Sequence, residues 1–222
     1  MRLRLGVVIP ARDEEQLVAR CLDSVRVAAA NVRARVTVVL VADGCLDSTA
    51  AIARGQHGVR VIELESSNVG AARAAGAAEV LRLGADWIAN TDADSVVPAN
   101  WLAHQVELAA EGWDVVVGTV RPDFAELEPG QQATWLGSHT PGAPNGHVHG
   151  ANLGIRASAY RASGGYRGLP EHEDVDLVAR LDGFRTIASD TAEVVTSARR
   201  FGRTPGGYAR FLRETLMAVP LD

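Results

Sequence analysis

The chain has 222 residues, 47% of them apolar, and a formal charge of −5. That is enough apolar material for one sizeable core, and the negative balance argues against a nucleic-acid binder, whose affinity would lean on a basic surface. The two cysteines, Cys21 and Cys45, sit in separate segments at no metal-binding spacing, so a reducing, cytoplasmic setting is expected rather than a disulfide framework.

The start "MRLRLGVVIP" lacks a cleavage site and has too short an apolar run for a signal peptide. It reads as a first strand stopped by Pro10. "RDEEQLVARCLDSVRVAAA" follows as a helix capped by Asp13 with Gln16 reaching back, its apolar stripe being Leu17, Cys21, Leu22 and Val25. "RVTVVLVAD" is a second strand ending at Asp43, and "LDSTAAIARG" a short helix capped by Asp47 and closed by Gly55. "VRVIEL" is a third strand; "NVGAARAAGAAEVLRLG" is a helix capped by Asn68 and ended by Gly84; "ADWIAN" is a fourth strand. A helix begins near Pro98, and "DVVVGTVR" is a fifth strand.

From Pro122 to Gly150 the chain is rich in Gly, Pro, Gln and His, with a weak helical pattern around "FAELEPGQQATWL". Long irregular segments in compact domains are commonly functional. A helix at "EDVDLVARLDG", strand-like "FRTIAS" and "AEVVTS", and a final amphipathic stretch complete the chain. Alternation of short β-branched runs with Ala-rich helices indicates an α/β fold with a mixed, mostly parallel central sheet. No repeat, linker or run near the ~18 apolar residues of a membrane span divides residues 1–222, so one domain is expected, with no transmembrane segment.

Open α/β sheets bind ligands outside the carboxyl ends of their strands. "ARDEE", "ADGCLDS" and "TDADS" follow strands one, two and four, which gathers Asp13, Glu14, Asp43, Asp92 and Asp94 on one rim. Such a rim is too acidic to take a phosphate directly. A divalent cation, Mn²⁺ or Mg²⁺, resolves the conflict, since it accepts one or two carboxylates and fills its remaining positions with water and phosphate oxygens. The plainer alternative is that Asp92 and Asp94 only cap the next helix.

The segments "VVIPARDEE", "VVLVADGCLDST", "NVGAARAAG", "IANTDADSVVPANWL" and "HGANLGIRASAYRASGGYRGLPEHEDVDLVARL" occur in this order. Together they resemble family-2 glycosyltransferases of the GT-A fold over roughly residues 5 to 200. The resemblance implies a nucleotide-diphosphate sugar donor, an acceptor hydroxyl of unspecified identity, and a divalent metal. Residues 1–120 would bind the nucleotide and 121–222 the acceptor. Carried over position by position, it places Pro10, Glu14, Asp43, Asn68 and Arg73 in the nucleotide pocket. Asp92 then faces ribose or metal, Asp94 binds the metal, and the "ED" pair Glu173–Asp174 supplies the base.

The "EHEDVDL" stretch also reads on its own terms. On a helix, Asp174 shares a face with Leu177, Val178 and Leu181, while Asp176 points away and can pair with Arg180. An inward carboxylate in the first turn suits a general base, which favours Asp174 over Glu173. His149 and Asn152 are candidates for the acceptor side, and Trp135 could stack on a sugar or simply pack. His139, His147, His149 and His172 show no zinc pattern. The tail, with Tyr208, Phe211, Leu212 and Met217, could touch a membrane surface, but its few basic residues favour closing the core.

"TSARRFGR" stands where processive synthases of the family carry Q-x-x-R-W, so transfer of a single sugar is expected, and the resemblance implies that it inverts the anomeric configuration. The competing readings are a nucleotide-sugar-binding module without catalysis and a sugar nucleotidyltransferase. The latter would need a basic glycine-rich loop where "ARDEE" stands.

Overall fold

The computed structural model describes residues 3–204 and 206–216. Strands β1 (Arg4–Ala11), β2 (Arg35–Asp43), β3 (Val59–Leu64) and β4 (Trp87–Asn90) are mutually parallel and lie side by side in the order β3-β2-β1-β4. All of β1 except Arg4 is buried, as is the whole of β4. Strands covered on both faces read as unbroken apolar runs rather than alternating ones.

Pro10 does not end β1. The Val8 carbonyl accepts from Thr91 N on the β4 side, and Pro10, two residues on, points the same way. Pairing with β4 has stopped at Val8–Asn90, so the missing N–H leaves no gap in a ladder.

Helices α1 (Val18–Ala30) and α2 (Thr49–Gly55) follow β1 and β2, and α3 (Val69–Arg82) returns the chain to β4. The first half therefore runs outward from β1 and then crosses to its other side. Asn68 caps α3 as expected, its side-chain oxygen accepting from Ala71 N at 2.9 Å. Asp13 does not cap α1, which starts at Val18 without a side-chain cap. Asp13 instead adopts φ +52° and accepts from Leu46 N at 2.7 Å, tying the loop after β1 to the loop after β2.

The second half comprises β5 (Ser95–Val96), α4 (Trp101–Ala110), β6 (Val115–Pro122), α5 (Pro129–Gly137), β7 (Leu153–Arg156), α6 (Ala157–Ala162), α7 (Glu173–Ala179), β8 (Thr186–Thr196) and α8 (Tyr208–Leu216). They extend the sheet to β3-β2-β1-β4-β7-β6-β8-β5. β7 is antiparallel to both β4 and β6, β5 is antiparallel to β8, and β6 and β8 run parallel. The mixed, mostly parallel sheet is the expected one. The two strand-like runs near the end are one strand, whose pairing with β6 shifts register between Gly118 and Val120.

One face of the sheet packs the apolar sides of α1, α2 and α4, through Cys21, Leu22, Val25, Ala53, Trp101 and Leu102. The other packs α3, α6 and α7, through Ala77, Val80, Tyr160 and Leu177. A third, smaller core joins α5 and α8 through Trp135, Leu212 and Leu216. The final amphipathic stretch thus closes a core, as expected; Met217 lies outside the described residues. Among the described residues no helix is long and apolar enough to cross a membrane.

Candidate active site

A cavity of about 680 Å³ opens at the carboxyl ends of β1, β2 and β4. This is where the chain reverses its direction across the sheet, and open α/β sheets have their crevice at such a point. Pro10, Glu14, Asp43, Asn68 and Arg73 line it from the first half of the chain. Asp92, Asp94, His149, Glu173 and Asp174 line it from the rest. Asn152 and Trp135 do not.

Asp43, at the end of β2, shapes a wall. One carboxylate oxygen accepts from Ser66 N (2.7 Å) and Ser67 N (2.9 Å), the other from Asn68 N (2.7 Å) and the Ser66 hydroxyl (2.8 Å). A carboxylate offers about four lone-pair sites, so all are used. Burial works to raise its pKa, but these bonds outweigh it and hold the group below the usual range. A nucleotide would reach Asp43 by displacing the Ser66 hydroxyl, the one donor of the four that can rotate without moving backbone. Asn68 is similarly committed, capping α3 and donating to Gly168 O at 3.1 Å.

Arg73, from α3, is the hub and is almost wholly buried. Its guanidinium donates to Glu173 (2.7 Å), to Asp92 (2.6 Å) and to Gly150 O (3.1 Å). Gly150 has to be glycine here, because a Cβ would lie 2.3 Å from the guanidinium. Burial pushes the Asp92 carboxyl upward; Arg73 opposes this, while Asp94 and Glu173 add to it.

Asp94 and Glu14 share a second arginine. Arg199 pairs with Asp94 and, at 2.8 Å, with Glu14. The Thr196 hydroxyl donates to the other Asp94 oxygen at 3.2 Å. Arg203 reaches Glu14 at 3.4 Å and the Asp13 carbonyl. Neither arginine was singled out from the sequence as a site residue. The available signal was the cluster of basic residues in "ARRFGR" within an otherwise acidic chain.

The "ED" pair divides its work in an unexpected way. Glu173 is the buried member, held by Arg73, whereas Asp174 is half-buried. Asp174 accepts from Gly150 N (2.6 Å) and Val175 N (2.8 Å) and faces the cavity. The reason is the start of α7: His172 is left-handed at φ +59°, which turns the first residue of the helix inward. His149 stands beside Asp174 and meets Tyr208 edge-on at 5.7 Å.

Two acceptor candidates need correction. Asn152 is buried and its amide is fully occupied: it accepts from Trp101 Nε1 (2.9 Å) and donates to Thr119 O and Ala192 O (both 2.9 Å). It joins α4, β6 and β8. Trp135 is buried in the small third core, stacked on His139 at 3.6 Å and edge-on to Phe124. It packs; it does not present a face to a sugar.

Residues 6–163 match the model of the family described as Glycosyl transferase family 2. The chain belongs to that family. No curated protein sequence matches it. Among solved structures, S. aureus TarS 1-349 in complex with UDP-GlcNAc is similar with a TM-score of 0.69 at 14% identity, over 99% of this chain and 68% of that one. The mannosyltransferase PcManGT from Pyrobaculum calidifontis, in complex with GDP-Man and Mn²⁺, gives 0.68 at 22% identity, over 91% of this chain and 59% of that one. The chain thus spans about 59% to 68% of the length of these two neighbours, and at these identities they share its fold.

A metal in this family-2 site would meet oxygen ligands only. Asp92 has one carboxylate oxygen on Arg73 and none of the described residues donates to the other; Asp94 follows two residues later. Two carboxylates, completed by diphosphate oxygens and water, suit Mg²⁺ or Mn²⁺ and not a closed zinc site. The group of three potential ligands that does lie close together, Asp13, Cys45 and Asp47, contains neither. Its two acids already accept from Leu46 N, Glu15 N and Thr49.

Proposed function

We propose that the chain is a metal-dependent glycosyltransferase that moves one sugar from a nucleotide-diphosphate sugar to an acceptor hydroxyl with inversion. One observation carries this. Seven carboxylates and four guanidiniums line the cavity, and two of those arginines already bridge carboxylates. An anionic diphosphate therefore needs added positive charge, and Asp92 and Asp94 offer it a place. TarS is seen with UDP-GlcNAc and the Pyrobaculum enzyme with GDP-Man and Mn²⁺, which supports a donor of this class.

The nucleotide would lie against Pro10 and the Ser66–Asn68 loop that Asp43 holds. A divalent cation on Asp94 and the open oxygen of Asp92 would neutralise charge developing on the diphosphate. Asp174 acts as the base rather than Glu173, because Glu173 is spent on Arg73. As the acceptor oxygen bonds to the anomeric carbon, its proton passes to Asp174 and the bond from that carbon to the diphosphate oxygen breaks. One displacement inverts the configuration. The acceptor would enter past His149, Tyr208 and Phe211, which line the cavity near Asp174.

The test is calorimetric titration of UDP, GDP, ADP and dTDP, each with and without Mn²⁺. Metal-dependent binding of one of them supports the donor site and names its base. A folded protein that binds none of the four refutes the reading.

A further inference from the structure

Glu14 and Asp94 arrive on the cavity rim from loops eighty positions apart, and two carboxylates at one guanidinium repel each other. Arg199 answers both. It binds Asp94 with one arm of its fork and sits 2.8 Å from Glu14, and it lines the cavity. Arg203 supports Glu14 from the other side. The chain thus supplies its own cation at the carboxylate that the donor reading gives to a metal.

A guanidinium and a divalent ion on that Asp94 carboxylate share a single negative charge. They compete for one ligand and repel each other as like charges. The doubly charged ion gains more from the carboxylate, so it wins once it is supplied with its other oxygens.

The backbone around Arg199 is held, while among the described residues its side chain has no polar partner besides Asp94 and Glu14. Ala198 N and the Ser197 hydroxyl donate to Glu126 (2.8 and 3.0 Å), and Arg199 N donates to the Ser197 hydroxyl (3.2 Å). A displaced guanidinium therefore stays over the cavity, where a planar fork is well matched to phosphate oxygens.

We propose that Arg199 is an internal counter-ion that a divalent cation displaces from Asp94, and that the freed guanidinium then grips the donor diphosphate. The proposal rests on the donor reading above and assigns Arg199 a donor-binding role within it. It predicts opposite signs for two affinities. Without Arg199, metal alone binds more tightly, because its competitor is gone; nucleoside diphosphate in the presence of metal binds more weakly, because its clamp is gone.

The experiment titrates Mn²⁺ alone, followed by electron paramagnetic resonance of the free ion, into wild type, Arg199→Ala and Arg199→Gln. UDP and GDP are then titrated at saturating Mn²⁺, with thermal melts to show that each variant is folded. Mn²⁺ is expected to bind both variants about ten-fold more tightly, and the nucleotide that wild type prefers about ten-fold more weakly, as the loss of a charge-assisted bond predicts. Arg199→Gln keeps the aliphatic stem as far as Cδ and an amide N–H donor without the charge, so it gives a second uncharged variant should Arg199→Ala be unstable. Unchanged or weaker Mn²⁺ binding in both variants would overturn the exchange. Unchanged nucleotide affinity would overturn the clamp. If wild type binds Mn²⁺ but no nucleotide, the donor reading and the clamp fall together, while the exchange is still judged by the Mn²⁺ titration.

Discussion

Arg73 and Glu173 stand one hundred positions apart in the chain and 2.7 Å apart in the fold, both almost wholly buried. Their pair fastens α3 to the start of α7, and Arg73's further bonds to Asp92 and Gly150 O extend the tie to β4 and the turn before β7. Removing one member of a buried pair leaves the other charge uncompensated, which costs about 3–5 kcal/mol. Arg73→Met is therefore expected to lose stability of that order in urea titration. Glu173→Gln, which keeps an acceptor, should lose about 1–2 kcal/mol. An Arg73→Met variant within about 1 kcal/mol of wild type would show that the hub is dispensable.

Asp174 faces the cavity while its neighbour is locked away, so the two carboxyls should part company on mutation. Asp174→Asn keeps size and, with one oxygen in place of two, one of the two backbone hydrogen bonds from Gly150 N and Val175 N. It is expected to bind nucleoside diphosphate with wild-type affinity and to lose about 10²- to 10⁴-fold in transfer rate, the usual worth of a positioned base. Full activity in Asp174→Asn would move the base elsewhere.

The parallel half of the fold was legible because its signals are local. β2 and β3 begin and end where the sequence placed them, being short apolar runs between turn residues, and Asn68 announces α3 by a cap. Asp13 misled because the same side chain that can cap a helix can also bond a distant loop, and Leu46 N won. The acid rim could be gathered from strand order alone. What that reading could not supply was the counter-charge. Arg199 approaches Asp94 from 105 positions away, and no periodicity records such a contact. Burial of Glu173 in place of Asp174 depends on one left-handed residue, His172, which a helical wheel does not register.

Asn152 serves as a joint rather than as an acceptor contact, and this too can be checked. Asn152→Ala would strand Trp101 Nε1 and two carbonyls, on β6 and β8, inside the core. Each unsatisfied buried group costs about 1–3 kcal/mol. The expected outcome is a stability loss of about 3 kcal/mol or more, seen as a lowered denaturant midpoint, with no change in nucleotide affinity of the fraction that remains folded. A stable variant with impaired acceptor use would restore Asn152 to the acceptor side.

His149 ties acid sensitivity to the cavity wall. Burial is the main force driving its pKa down to about 4; Asp174 pulls the other way, and His147 and His139 add to the depression. Between about 4 and the ordinary 6.5 the unfolded chain therefore carries a proton at this position that the folded chain refuses. Stability must rise with pH across that window and be lost as pH falls through it. Glu14 and Asp92, whose carboxyls are raised, act in the opposite sense in the same range, and Asp43, held low, acts only below it. A comparison with His149→Asn isolates the histidine, since the carboxylates are common to both proteins. Going from pH 7 to pH 4.5, wild type is expected to lose about 1–2 kcal/mol more than the variant, read as the difference in urea midpoints. Equal losses would mean that His149 takes up its proton in the folded protein as readily as in the unfolded chain.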